Sequence, residues 1–265
     1  MKIAITGKGG VGKTTIAGTL ARLLAQQPQR VLALDGDSNP NLAHTLGIPR
    51  SQIDALPAVP MGLTEWRTDE QGKAYVHLRQ SVTQFIADYG IPAPDGVQLI
   101  LTGEVEKASA GCRCEAHAVA RGITGQLVTE TDVADVAVLD MEAGLEHLGR
   151  GTVEHVDVLL IVTEAYYRAL EAATRIRDLA LSMRLPQILV IANRVRTPQE
   201  EAAIQRYCEQ HGLTLVASVP HDEAVTEAEL RGLSVVDSAP TCAAVQAIRQ
   251  LAQTLQTQFV RRPTA

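Results

Sequence analysis

The residues best placed to do chemistry lie close to the N-terminus. Gly7-Lys8-Gly9-Gly10-Val11-Gly12-Lys13-Thr14 follows the pattern G-x-x-x-x-G-K-[ST] between an apolar run and a helix-like segment. Glycines at this spacing let backbone N–H groups turn inward around phosphate oxygens, and the helix start adds partial positive charge. Lys13 is then expected to reach the β and γ phosphates, and the Thr14 hydroxyl to bind Mg²⁺. The stretch Gly9, Gly10, Val11, Gly12, Lys13, Thr14, Thr15 forms the candidate phosphate cradle.

Lys8 is unusual in a general phosphate loop. With it the motif reads Lys-Gly-Gly-Val-Gly-Lys-Thr-Thr. This resembles the deviant Walker A motif of the superfamily that holds the nitrogenase iron protein and the septum-site and chromosome-partition ATPases. The resemblance implies a homodimer in which Lys8 crosses to the partner's nucleotide. Asp35-Gly36-Asp37-Ser38-Asn39-Pro40-Asn41 resembles the first switch of that family, although Ser38 stands where proline is usual. The resemblance makes Asp37 the residue that positions or deprotonates the attacking water, and Asn41 a sensor of phosphate or partner. Asp140-Met141-Glu142-Ala143-Gly144 matches the Walker B and second-switch segment. It implies that Asp140 holds Mg²⁺ through water and that the Gly144 N–H senses the γ-phosphate. Asn193, with Pro220 and Asp222, corresponds to the walls of the adenine pocket. Arg196 stands where a guanine site would want aspartate, so ATP is favoured over GTP.

Cys112 and Cys114 flank a single residue. A disulfide across that gap would be strained. Ser109, Ala110, Gly111 and Arg113 around them do not look like core. Thiolates at a helix start are favoured as metal ligands, and a two-fold dimer would gather four sulfurs from two chains. The phosphate loop, the Gly111-Cys112-Arg113-Cys114-Glu115-x-His117 segment and the run from Asp140 to Thr152 together resemble the CooC-type nickel-insertion ATPases of carbon monoxide dehydrogenase maturation. That resemblance spans nearly the whole chain. It implies Ni²⁺ or Zn²⁺ held between subunits by Cys112 and Cys114, with ATP turnover accompanying delivery to the dehydrogenase catalytic subunit. It leaves His117, Glu142, His147 and Arg150 without a role.

Two other readings stay open. An iron–sulfur electron-transfer ATPase would carry a cysteine close behind the Walker B aspartate, where Met141 and Glu142 stand. A septum- or partition-type positioning ATPase would have no use for a Cys-x-Cys pair. Its membrane helix would have to be the segment around Phe259, Val260, Arg261 and Arg262, which can equally end a core helix.

Seven short apolar runs must position these residues: Lys2 to Thr6, Arg30 to Asp35, Val97 to Thr102, Ala134 to Asp140, Asp157 to Thr163, Gln187 to Asn193 and Leu213 to Val219. Most are continuous rather than alternating, which suits strands covered on both faces. Helical patterns lie between them at Lys13 to Gln26, Cys114 to Thr129, Arg168 to Arg184, Pro198 to His211 and Thr241 to Phe259. The alternation predicts an α/β fold with a doubly wound, mostly parallel sheet. The stretch from about 47 to 96 breaks the rhythm and reads as an insertion with a helix near Ser81 to Tyr89. No linker divides the chain, so one domain over residues 1–265 is expected.

Composition narrows the setting. Of 265 residues 46% are apolar and only 3% aromatic, so the core must be aliphatic. A net charge of −6 argues against a dedicated nucleic-acid binder. No apolar run has the length of a membrane span, and the N-terminus reaches glycine too soon for a signal peptide. A cytoplasmic protein with reduced thiols is expected, with Cys208 and Cys242 as packing residues.

Overall fold

The computed structural model describes residues 1–37, 41–53, 60–68, 72, 74–101, 122–130, 133–141 and 156–259. Cys112, Cys114 and Gly144 lie outside the described residues, as do His117, Glu142, His147 and Arg150. The strands in chain order are β1 (Lys2–Gly7), β2 (Val31–Asp35), β3 (Thr64–Thr68), β4 (Ala74–Leu78), β5 (Ile91–Pro92), β6 (Gln98–Leu101), β7 (Val136–Asp140), β8 (Val158–Thr163), β9 (Ile188–Val195) and β10 (Leu215–Pro220). The helices are α1 (Lys13–Ala25), α2 (Leu42–Thr45), α3 (Arg50–Ile53), α4 (Val82–Tyr89), α5 (122–129), α6 (Tyr167–Ser182), α7 (Pro198–Gln210), α8 (Glu223–Leu230), α9 (Val235–Ser238) and α10 (Ala243–Phe259).

Eight strands make one sheet in the order β10-β9-β8-β1-β7-β2-β6-β5. All pairs are parallel except the short edge strand β5, which runs antiparallel to β6. The seven expected strands are all present, with ends moved by a residue or two. β1 sits centrally between β7 and β8, and every residue of β2, β7 and β8 is buried. That is why their sequences run as unbroken Val, Leu, Ile and Ala. Alternate residues of each strand feed two aliphatic cores. Ile3 and Ile5 face α1 and α10, while Ala4 belongs to the core under α4 to α7.

Local chemistry sets the helix ends. Pro198 opens α7, and the Thr197 side chain accepts the Glu200 N–H at 3.1 Å. The Ser81 hydroxyl accepts the Gln84 N–H and caps α4, one residue into the helix expected from Ser81. Of the helix expected over Cys114 to Thr129, residues 122–129 are described and are helical.

The 47–96 stretch holds more order than its composition suggests. β3 and β4 form a separate two-stranded antiparallel sheet. That hairpin is pinned to α5 by Gln126, which accepts the Leu78 N–H at 3.1 Å and donates to the Val76 carbonyl at 2.9 Å. Phe85 and Val82 of α4 are fully buried in the same core as Ile100 of β6, so this half of the stretch helps build the main sheet's covering.

Candidate nucleotide site

The phosphate loop leaves the carboxyl end of β1, the central strand. Gly12 caps α1 in a left-handed conformation, φ 84°, which a side chain would strain. A Cβ there would also run into the Asn193 amide nitrogen. No side chain caps α1 and its first turn holds no acid, so its opening N–H groups and dipole are left for an anionic ligand. Lys13 is 92% shielded from solvent, with its Nζ 3.5 Å from the Lys8 carbonyl.

Two carboxylates stand behind the loop, on adjacent strands in register: Asp35 at the end of β2 and Asp140 at the end of β7. Asp35 is fully buried and accepts backbone N–H groups from Asp37 at 3.1 Å, Asn41 at 3.0 Å and Leu42 at 2.9 Å. It therefore fixes the backbone at Asp37, Asn41 and Leu42. Burial, and after it the nearby Asp140 carboxylate, push Asp35 up to about 7. Asp140 is pushed up to about 6, by burial first, against the opposing pull of the Thr14 hydrogen bond and the Lys13 charge. One oxygen of Asp140, Oδ1, is buried with no hydrogen-bond partner among the described residues. A buried acid with a free oxygen, next to a threonine hydroxyl, suits a hydrated divalent cation. The residues present thus fit Mg²⁺.

A cleft of about 700 Å³ opens over the loop. Such a volume lies within the range of small-molecule sites, ~300–1,000 Å³. The cleft gathers Gly9, Gly10, Gly12, Lys13, Thr14, Thr15, Asp37 and Asn41, all singled out by sequence. It also brings in His44, Arg50, Arg194, Glu229, Leu230 and Leu233, which sequence reasoning missed. Only Arg194 had a signal, its position directly after Asn193. The others sit on α2, α3, the end of α8 and the turn that follows it, outside any motif.

The expected adenine residues come together, but tightly. Asn193, Pro220 and Asp222 line a cavity of about 40 Å³, room for water rather than a purine. The Asn193 amide nitrogen donates to the Val11 carbonyl at 2.7 Å. The Asp222 carboxylate accepts from Ala224 N at 3.1 Å, capping α8, and from Ala244 N at 3.2 Å, tying in α10. It also takes a hydrogen bond from Cys242. Cys208, by contrast, is plainly a packing residue, 1% exposed. Lys8 lies apart from the cleft lining, with its ammonium 4.9 Å above the ring of Tyr166.

Among the described residues no group of three or more His, Cys, Asp or Glu is arranged to hold a metal, and no helix is long and apolar enough to cross a membrane.

Comparison with known proteins gives these features a lineage. The family described as "CobQ/CobB/MinD/ParA nucleotide binding domain" matches residues 2–235. The chain is 40% identical over 250 residues to "Carbon monoxide dehydrogenase accessory protein CooC" of Rhodospirillum rubrum, covering 91% of this chain and 92% of that one. Among solved structures, a ParA family ATPase from Chlorobium tepidum superposes with a TM-score of 0.67 at 21% identity, covering 95% and 97% of the two chains. The septum site-determining protein MinD of Pyrococcus horikoshii, complexed with Mg-ADP, gives 0.67 at 20% identity, covering 99% and 98%.

Proposed function

On the premise that this chain belongs to the CobQ/CobB/MinD/ParA nucleotide-binding family and is a P-loop ATPase, we propose that it hydrolyses ATP to support nickel insertion into carbon monoxide dehydrogenase. In this reading two subunits hold Ni²⁺ or Zn²⁺ as cargo between them, and each chain works as one domain in the cytoplasm. The observation that carries the reading is the 40% identity to a carbon monoxide dehydrogenase accessory protein over nine-tenths of both chains.

Each residue then has a task. Lys13 and the opening N–H groups of α1 bind the phosphates. Thr14, and Asp140 through water, would hold Mg²⁺, which when bound would supply positive charge against the phosphates. Asp37 orients the attacking water from a loop whose backbone Asp35 fixes. Asn41 and the Gly144 N–H sense the γ-phosphate. Asn193, Pro220 and Asp222 border the base, and the narrowness of their cavity means this wall must part to admit it. Lys8, half-buried and held over Tyr166 within its own subunit, swings to the partner's nucleotide when the dimer closes. Cys112 and Cys114 of both chains supply four thiolates to the metal, a set suited to tetrahedral Zn²⁺ or square-planar Ni²⁺.

Metal stoichiometry tests the proposal. Wild-type protein dialysed against Zn²⁺ or Ni²⁺ is expected to retain one ion per two chains. The double variant Cys112→Ala, Cys114→Ala should lose the ion yet bind ATP as before. One tightly held ion per chain, untouched by the double change, would remove the shared site.

A further inference from the structure

The edge pairing of β9 with β10 contains an irregularity that no motif announces. Ser218 pairs with Ala192 and Pro220 with Val195, so β9 spends three steps where β10 spends two. The extra residue falls within Asn193–Arg194, and Arg194 takes a left-handed backbone, φ 53°. An arginine there is strained, and bulges of this kind re-aim side chains beside active sites. Both redirected side chains reach the phosphate loop. Asn193 donates to the Val11 carbonyl, while Arg194 Nη1 donates to the Gly10 carbonyl at 2.8 Å. The same Nη1 is held by Glu164, just beyond the end of β8, at 3.0 Å.

We infer that Arg194, anchored by Glu164, is a positioning residue that fixes the Gly10–Val11 peptide so that the loop is shaped for phosphate before nucleotide arrives. A trans peptide points its C=O and the following N–H in opposite directions. Holding the Gly10 carbonyl outward keeps the Val11 N–H on the inner side of the loop, where it makes a long 3.4 Å approach to the Lys8 carbonyl. A second clamp from Asn193 does the same for the next peptide and its Gly12 N–H. The strained bulge lasts because it delivers two successive side chains to two successive carbonyls. The inference rests on reading the cleft as the nucleotide site, and it adds a named device for that site's affinity.

The shape of the loop matters to the α and β phosphates, which ADP and ATP share, so the two nucleotides must suffer alike. Isothermal titration of Mg-ADP and Mg-ATP is the test, with Arg194→Ala, Arg194→Gly and Glu164→Ala beside wild type. Arg194→Ala should weaken both nucleotides by roughly five- to tenfold, as loss of a charge-assisted but partly exposed hydrogen bond. The Michaelis constant for ATP should rise in proportion, with kcat changing by less than about twofold. Arg194→Gly accepts the left-handed backbone without strain and should lose the same affinity, which separates the guanidinium from any folding defect. Glu164→Ala should weaken binding in the same direction by roughly two- to threefold. A loss confined to ATP would make Arg194 a γ-phosphate ligand and overturn the inference. Unchanged binding in Arg194→Ala, or tighter binding in Glu164→Ala, would overturn it too. If wild type itself binds neither nucleotide, the functional reading fails instead.

Discussion

At the scale of single residues, two lysines five positions apart in the same loop, Lys8 and Lys13, carry different expectations. Lys13 is buried against its own loop, whereas Lys8 lies half-buried over the exposed face of Tyr166. Lys13→Ala should abolish turnover and weaken nucleotide binding severely, since the cleft would lose its innermost cation. Lys8→Ala should bind nucleotide nearly as wild type, yet fail to dimerise with ATP and lose at least about tenfold in hydrolysis, in line with loss of a charge-assisted contact to phosphate. Sedimentation velocity with and without a non-hydrolysable ATP analogue reads the difference; a fully active Lys8→Ala protein that stays monomeric would end the two-subunit account. Much at this scale was legible beforehand. The loop glycines, Lys13, Thr14, Asp37 and Asn41 do line one cleft. What the sequence hid was division of labour. Asp35 and Asp37 look alike as letters in a loop, but Asp35 points its carboxylate into three backbone N–H groups and serves as scaffold. Asp222 was read as a wall for the base, and its carboxylate turns out to hold the starts of α8 and α10.

At the scale of elements, the site depends on how closely α2 packs behind α1. Gly18 of α1 faces Thr45 of α2, and a Cβ at Gly18 would lie 2.7 Å from the Thr45 Cβ. Thr45 in turn approaches the Thr14 carbonyl through its hydroxyl, at 3.3 Å. Gly18→Ala would gain helix propensity, about 1 kcal/mol, but overpacking of a tight contact costs about 1–3 kcal/mol. A net loss of up to about 2 kcal/mol is expected, and urea unfolding should show a lower midpoint with unchanged slope. An equal or higher midpoint would show that α2 yields freely and does not brace the loop. The elements themselves were legible where burial imposed one pattern. The central strands are continuous aliphatic runs because helices cover both sheet faces, and that signal survives in sequence. The β3–β4 hairpin was not found because its first strand, Thr64–Thr68, is half-exposed and carries no apolar alternation. The four-residue α2 and α9 are too short to show a helical period at all. The β9 bulge at Asn193–Arg194 is invisible in sequence because it depends on the register of a neighbouring strand.

At the scale of the whole molecule, two ligands would share one assembly. In the proposed function ATP would draw two subunits together through Lys8, and metal would draw them together through the thiolates of Cys112 and Cys114. Ligands that favour the same dimer must favour each other's binding, by thermodynamic linkage. Coupling of about 1–3 kcal/mol would change metal affinity roughly 5- to 150-fold. On the same proposal, hydrolysis would remove the γ-phosphate, loosen the dimer and let the metal pass to a dehydrogenase. The central claim is therefore that nucleotide state sets metal affinity. The most direct measurement titrates Ni²⁺ or Zn²⁺ into the protein with no nucleotide, with ADP and with a non-hydrolysable ATP analogue, while following the dimer fraction. Metal binding should be tightest and the dimer fraction largest with the analogue, and binding should be weaker with ADP or nothing. Equal metal affinity and equal dimer fraction in all three would contradict it, leaving two independent sites and no role for ATP in metal transfer.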